Sequence, residues 1–353
     1  MNRQSSQRDK DLMNRLDDLL RDAGADPQQL SGKLVREMIH TSVKMLGDGA
    51  DNGELKLTSR SLKELRYAFK VFRDYRDARK IAIFGSARTE EGEPAYAAAV
   101  DFSRKMAQNG WMAITGAGSG IMRAGHGGAG RASSFGVAIR LPFETTANEY
   151  IEGDPKLIVF RYFFTRKLIF VSQAHAVALF PGGFGTQDEG FETLTLIQTG
   201  KAPLVPVVMI DPPGGRYWRR WHQFVQRELL DNQLISPEDL NLYFVTDDID
   251  AAARHVQDFY RNYHSQRYVR DDLVIRMHRP LEQKQIEALN VSYPDLVAEG
   301  HLAQCGPLES ERQHLELPRL RFVFTRRDYG RLRLLIDDIN RFDAENADGK
   351  PAN

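Results

Sequence analysis

The residues best placed to do chemistry are Pro181-Gly182-Gly183-Phe184-Gly185-Thr186-Gln187-Asp188-Glu189. Glycine at 182, 183 and 185 lets the backbone curl with its N–H groups turned inward, and Thr186 adds a hydroxyl. If a helix opens here, its positive dipole end favours an anion by ~0.3–1 kcal/mol. The segment is a phosphate cradle without the Lys-Ser/Thr ending of a Walker A loop. Glu189, about one turn in, sets a carboxylate beside that anion. A plainer reading is a tight turn whose acidic residues favour the dipole. Upstream, Arg166-Lys167 supplies cations that could neutralise a phosphate or support a leaving group; a solvated helix face is the plainer alternative there.

Two further segments are glycine-rich. Thr115-Gly116-Ala117-Gly118-Ser119-Gly120-Ile121-Met122 permits close backbone approach to a ligand, but Ile121 stands where a dinucleotide fingerprint needs its third glycine. A mononucleotide suits two such loops better. Gly85-Ser86-Ala87-Arg88 is compatible with a plain turn or a ligand-facing loop.

The surrounding elements explain how these segments could converge. Ile81–Phe84, Trp111–Thr115, Val137–Ile139, Leu157–Phe160, Ala176–Phe180, Leu204–Ile210 and Tyr243–Val245 read as short buried strands alternating with helical stretches. That alternation implies right-handed crossovers and a doubly wound, Rossmann-like α/β domain over 79–262. In such a sheet ligands bind beyond the carboxyl ends of the strands, where the chemically informative segments lie. Residues 1–78 read as a helical N-terminal extension, with Ser59 or Ser61 capping its third helix. Residues 263–342 read as a small α+β unit with strands at Leu273–Met277 and Leu320–Phe324 and helices at 281–289 and 328–340; 291–318 is unassigned. Residues 343–353 read as a disordered polar tail.

Composition bounds the remainder. In 353 residues, Lys plus Arg and Asp plus Glu are 48 each, which argues against non-specific nucleic-acid or anionic-membrane binding. The single cysteine, Cys305, excludes an intrachain disulfide and a cysteine-based zinc site. Nine histidines form no paired ligand motif, so no metal is expected. No signal peptide or membrane span is apparent, and a cytoplasmic location is expected.

Together the motifs resemble the LOG family, often labelled "lysine decarboxylase-like", in its longer bacterial form. Pro181, Gly182, Gly183, Gly185, Thr186 and Glu189 meet its P-G-G-x-G-T-x-x-E pattern, and Arg166-Lys167 matches its upstream pair. FGSAR at 84–88, GIM at 120–122, LPFE at 141–144 and FETLTLIQTGK at 191–201 add to the likeness, which covers about residues 65–262. Ala117, Ser119, Gln187 and Gly190 depart from it, and Gly190 costs a helix ~1 kcal/mol relative to alanine.

The resemblance implies hydrolysis of the N-glycosidic bond of a nucleoside 5′-monophosphate, such as AMP or a cytokinin riboside monophosphate, without a cofactor. It assigns catalysis to Arg166 and Glu189. Phosphate and substrate binding fall to Gly182, Gly183, Phe184, Gly185, Thr186 and Lys167, with Gly116, Gly118, Ser119, Gly120 and Ser86 lining the nucleotide. Glu144 and Asn148 are candidates for the base pocket. A homodimer or larger homo-oligomer is implied. The arginine-rich C-terminal unit reads either as a site for a phosphorylated effector or as ordinary solvated charge. Pyridoxal-phosphate decarboxylation would need a Schiff-base lysine; only Lys167 lies in the motif region, beside Arg166, and nothing local identifies it as one. The second reading is a nucleotide- or molybdenum-cofactor-binding carrier without turnover.

Overall fold

A computed structural model of the protein describes residues 3–141 and 147–348. The chain divides into two compact units, residues 1–66 and 67–353. The first contains α1 (Arg3–Asp22), α2 (Leu30–Gly47) and most of α3 (Asn52–Arg73). Arg36 meets Asp17 at 2.7 Å between α2 and α1. The cap of α3 is not Ser59 or Ser61. The Asp51 side chain accepts the Gly53 and Glu54 N–H groups at 2.6 and 2.8 Å. The Glu54 carboxylate accepts the Asp51 N–H in return, a reciprocal box that starts the helix earlier. Ser61 lies inside the helix, its hydroxyl bonded back to the Leu57 carbonyl.

The second unit is built on a seven-stranded parallel sheet. Its strands are β1 (Lys80–Phe84), β2 (Met112–Thr115), β3 (Ser134–Ile139), β4 (Leu157–Phe160), β5 (Ala176–Leu179), β6 (Val207–Ile210) and β7 (Phe244–Thr246). The spatial order is β4-β3-β2-β1-β5-β6-β7. Strands β1, β2, β5 and β6 are buried throughout, as continuous apolar runs require when both sheet faces are covered. One face carries α4 (Pro94–Gln108), α5 (Ile121–Ala129) and α9 (Ile249–Asp258), packed through Phe102, Ile121, Ala252 and Val256 on Ile81 and Ile83. The other carries α6 (Phe163–Gln173) and α7 (Phe184–Gln198), where Phe170 meets Phe84 with ring centroids 4.8 Å apart. This is the expected doubly wound α/β fold. The chain runs outward from β1 to β4 and resumes on the opposite side of β1 with β5, so the strand order reverses between β1 and β5. A crevice forms at such a reversal because the two flanking loops leave in opposite directions.

α8 (Tyr217–Phe224) follows β6 and runs into a π-helical turn at Val225–Leu230. The C-terminal part of the unit is an antiparallel sheet of β8 (Tyr263–Val269), β9 (Asp272–Met277), β10 (Val297–Cys305) and β11 (Arg319–Phe324), ordered β10-β11-β9-β8. It is accompanied by α10 (Gln283–Ser292) and α11 (Tyr329–Asp348). Helix α11 continues through Asp348, so the first part of the tail read as disordered is helical; 349–353 lie outside the described residues. Asn340 of α11 ties this sheet to α9. Its oxygen accepts the Asn262 and Tyr263 N–H groups at 2.8 and 2.9 Å, and its amide donates to the Phe259 carbonyl at 2.7 Å. Among the described residues no helix is long and apolar enough to cross a membrane.

Candidate active site

At the reversal lies a cavity of about 890 Å³, bounded by the loops after β1 and β5 and by side chains from α5, α6 and α8. The β5 loop builds its floor. Gly183 precedes α7 in an extended conformation and no side chain caps the helix, so its N-terminal dipole faces the cavity. The three glycines serve different ends. A Cβ on Gly182 would lie 2.1 Å from Thr186 Oγ1 and 2.9 Å from the Ser86 nitrogen, so the protein's own packing requires that glycine. A Cβ on Gly183 or Gly185 would meet nothing within 4 Å. Those two leave room above the backbone, as a closely seated ligand needs. Phe184 between them is 97% exposed.

Tyr217, at the start of α8, holds the loop from the side. Its hydroxyl donates to the Gly182 carbonyl at 2.5 Å and accepts from Gln187 Nε2 at 2.6 Å. Sequence reading missed this residue, because nothing near position 217 marks its return to a loop 35 residues earlier.

Ser86 lines the cavity as expected, and its N–H donates to the Pro181 carbonyl at 3.1 Å, stitching the two loops together. Gly116, Gly118, Ser119 and Gly120 do not line it. Their loop stands behind the first one. Gly120 has φ +60°, a Cβ there would lie 2.2 Å from the Ser86 oxygen, and Ser119 Oγ donates to the Ala87 carbonyl at 2.8 Å. A Cβ on Gly116 would fall 2.6 Å from Arg166 Nη2. The glycines thus admit Arg166, Met122 and the first loop rather than a ligand, and Met122, the second residue of α5, is what reaches the cavity. Asn148 is likewise a brace: its amide donates to the Gly118 carbonyl at 2.9 Å and its oxygen lies 3.1 Å from His126 Nδ1. Glu144 lies outside the described residues.

Arg166 and Glu189 both line the cavity. The arginine is fixed by its Nε, which donates to the Val137 carbonyl at 2.8 Å, and by Phe170, whose ring centroid lies 5.1 Å from the guanidinium carbon. Burial lowers its pKa and the nearby Glu189 opposes that shift; an arginine keeps its proton regardless. Glu189 is 7% exposed. Burial pushes its carboxyl up to about 7, with Lys167 and Arg166 pulling the other way. A carboxyl poised there can take or give a proton near neutral pH.

Lys167 is not a phosphate ligand in this arrangement. Its ammonium bridges Asp188 at 2.8 Å and Glu192 at 2.7 Å, and it is absent from the cavity lining. No lysine lines the cavity among the described residues. The site therefore does not fit pyridoxal phosphate, which needs an amine there for its Schiff base.

The departures from the family pattern are accommodated locally. Gln187 is the partner of Tyr217, and Ser119 ties the second loop to the first. Gly190 lets α7 approach β5, since a Cβ there would lie 3.1 Å from Leu179 Cδ1. Ala117 adopts φ +64°, a left-handed conformation that costs a residue with a Cβ ~1–2 kcal/mol.

Residues 118–256 match the family model described as "Possible lysine decarboxylase". Among solved structures, the molybdenum cofactor carrier protein of Chlamydomonas reinhardtii is 19% identical, over 51% of this chain and 96% of that one, with a TM-score of 0.36. The molybdenum cofactor binding protein of Rippkaea orientalis is 19% identical over 51% and 96%, with a TM-score of 0.35. A structural-genomics target, TM1055, is 18% identical over 51% and 98%, with a TM-score of 0.36. No curated protein matches the sequence. The family match spans the 182–185 glycine loop, Arg166 and Glu189, and through residues 118–256 the chain is similar to the family described as "Possible lysine decarboxylase".

Proposed function

We propose that the protein hydrolyses the N-glycosidic bond of a nucleoside 5′-monophosphate, giving a free base and ribose 5-phosphate. The observation that carries this reading is one cavity holding three features: an uncapped helix N-terminus with open glycines, a fixed arginine, and a buried carboxyl with its pKa near 7. The 5′-phosphate sits against the Gly183–Thr186 backbone, where N–H groups and dipole favour an anion. The ribose then extends towards Glu189. As the C1′–N bond breaks, its electron pair leaves with the base, and C1′ gains oxocarbenium character that the Glu189 carboxylate stabilises. Water adds its oxygen to C1′ and passes a proton to that carboxylate, while Arg166 steadies negative charge on the departing base until it is protonated. Lys167 contributes indirectly, by neutralising Asp188 and Glu192 beside the catalytic carboxyl.

The deciding experiment follows free-base release by chromatography from a panel of nucleoside 5′-monophosphates and the matching nucleosides. Release from monophosphates alone, absent in Glu189→Gln, supports the reaction. Tight nucleotide binding with no release from any of them would instead make the protein a carrier.

A further inference from the structure

The peptide between Gly182 and Gly183 is the part of the cradle with least to hold it. Neither flanking residue has a Cβ, so its plane can turn over at little steric cost. Its orientation decides what the cavity presents. In a trans peptide the C=O and the N–H point in opposite directions, and no peptide bond among the described residues is cis. The Gly182 carbonyl is turned to the Tyr217 hydroxyl, so the Gly183 N–H is turned away from it. That N–H has no hydrogen-bond partner among the described residues. With the peptide turned over, a carbonyl oxygen would stand where the N–H had been and would repel an anion.

Tyr217 is itself firmly held. The buried Asp211, next after β6, accepts the Tyr217 N–H at 3.1 Å and the Trp218 N–H at 3.0 Å, satisfying the first two donors of α8. The Tyr217 ring meets Trp218 edge-on, with centroids 4.9 Å apart. Gln187 then sets the hydroxyl. A carbonyl can only accept, so the single phenolic proton goes to Gly182 at 2.5 Å, and Gln187 Nε2 is the donor to the phenolic oxygen at 2.6 Å. Gln187 is one of this chain's departures from the family pattern, so this bond is not part of the motif itself.

We infer that Tyr217 is a positioning residue for the substrate's phosphate: its hydroxyl, set by Gln187, holds the Gly182–Gly183 peptide with the N–H available to the anion. The inference rests on the phosphate cradle of the proposed reaction and deepens it. Tyr217 takes no part in breaking the C1′–N bond, which stays with Glu189 and Arg166.

The test uses the full-length protein and ribose 5-phosphate, the part shared by every nucleoside 5′-monophosphate. Titrated calorimetrically, ribose 5-phosphate should bind about tenfold more weakly to Tyr217→Phe than to wild type, as loss of a charge-assisted hydrogen bond implies. Gln187→Leu should weaken it about threefold, the size of a neutral hydrogen bond. The double variant should bind no more weakly than Tyr217→Phe alone, because Gln187 acts through the tyrosine. In base release the loss should fall on KM rather than kcat, a split that general damage to the fold would not give. Should Tyr217→Phe fail to fold, the Gln187→Leu titration decides alone. Unchanged ribose 5-phosphate affinity in the variants, or a Gln187→Leu loss that persists undiminished beside Tyr217→Phe, overturns the inference even if monophosphates are hydrolysed. Tyrosine-dependent ribose 5-phosphate binding with no base release from any nucleotide would leave the positioning role standing and remove the reaction.

Discussion

Glu189 carries opposite consequences for activity and for stability. Replacement by glutamine should reduce base release at least about 100-fold, since the group that stabilises charge and takes the proton is gone. The same change should stabilise the fold. A carboxyl whose pKa is raised in the folded state costs nothing below its unfolded value of about 4.5. It imposes a growing penalty as pH rises towards 7, and a constant one above that. The full penalty is about 3 kcal/mol for a shift of this size. Glu189→Gln should therefore melt at the same temperature as wild type at pH 4 and well above it at pH 8; a difference independent of pH would place the origin elsewhere. Wild-type kcat/KM should rise with pH through about 7, as the carboxylate form accumulates. The glycines offer a second contrast. Gly182→Ala should lower stability, because its Cβ would collide with Thr186 and Ser86. Gly185→Ala should leave the melting temperature within a degree or two while weakening nucleotide binding about tenfold or more, measured by calorimetry.

Among the elements, those with one consistent period were legible and those at edges were not. Leu157–Phe160 is an apolar run in sequence and a strand with the same bounds in the structure. The strands β8 and β10 went unread for a physical reason. Tyr263-His264-Ser265-Gln266-Arg267-Tyr268-Val269 is buried mainly at its ends, and β10 is an edge strand with register breaks, Gly300 at φ +77° and a single buried residue, Leu302. Neither needs the alternation that a half-buried strand shows. Arg166 and Glu189 were legible as candidates because each lies within a sharp local motif, on the first helix after β4 and the first helix after β5 respectively. The Gly116–Gly120 loop was misjudged because glycine records close approach without saying what approaches. What secures the C-terminal sheet was also invisible: Glu311 accepts from Arg276 of β9 and, at 3.0 Å, from Arg319 of β11, all three buried. Its carboxyl is held down at about 2, the arginine hydrogen bonds outweighing desolvation, the largest single contribution. Removing one member strands two buried cations, so Glu311→Gln should cost about 3–5 kcal/mol by chemical denaturation. A depressed pKa means its contribution is present above about 4.5 and fades only as pH falls through about 2.

For the whole molecule, apolar surface gathers at one rim of the cavity. Phe163, Phe164, Leu168 and Phe184 are each at least half exposed, on α6 and at the start of α7. The family resemblance implies a homo-oligomer, and we propose that this rim is covered by a second copy. Light scattering should give a dimer or larger species at micromolar concentration, and Phe164→Glu/Leu168→Glu should shift it towards monomer; a monomeric wild type would end the proposal. The position of the site has a further consequence, for the order of events during folding. Its walls belong to strands that touch in space but lie far apart along the chain: the Lys80 N–H reaches His175 across 95 positions. Such a contact pays its loop-closure entropy late, after the local β1–α4–β2 turns have formed. No binding surface exists until β5 has slotted in beside β1. A nucleotide should therefore slow unfolding in proportion to its affinity and leave the refolding rate unchanged. Stopped-flow kinetics with and without ligand would read the site as the last part of the domain to close and the first part to hold it shut.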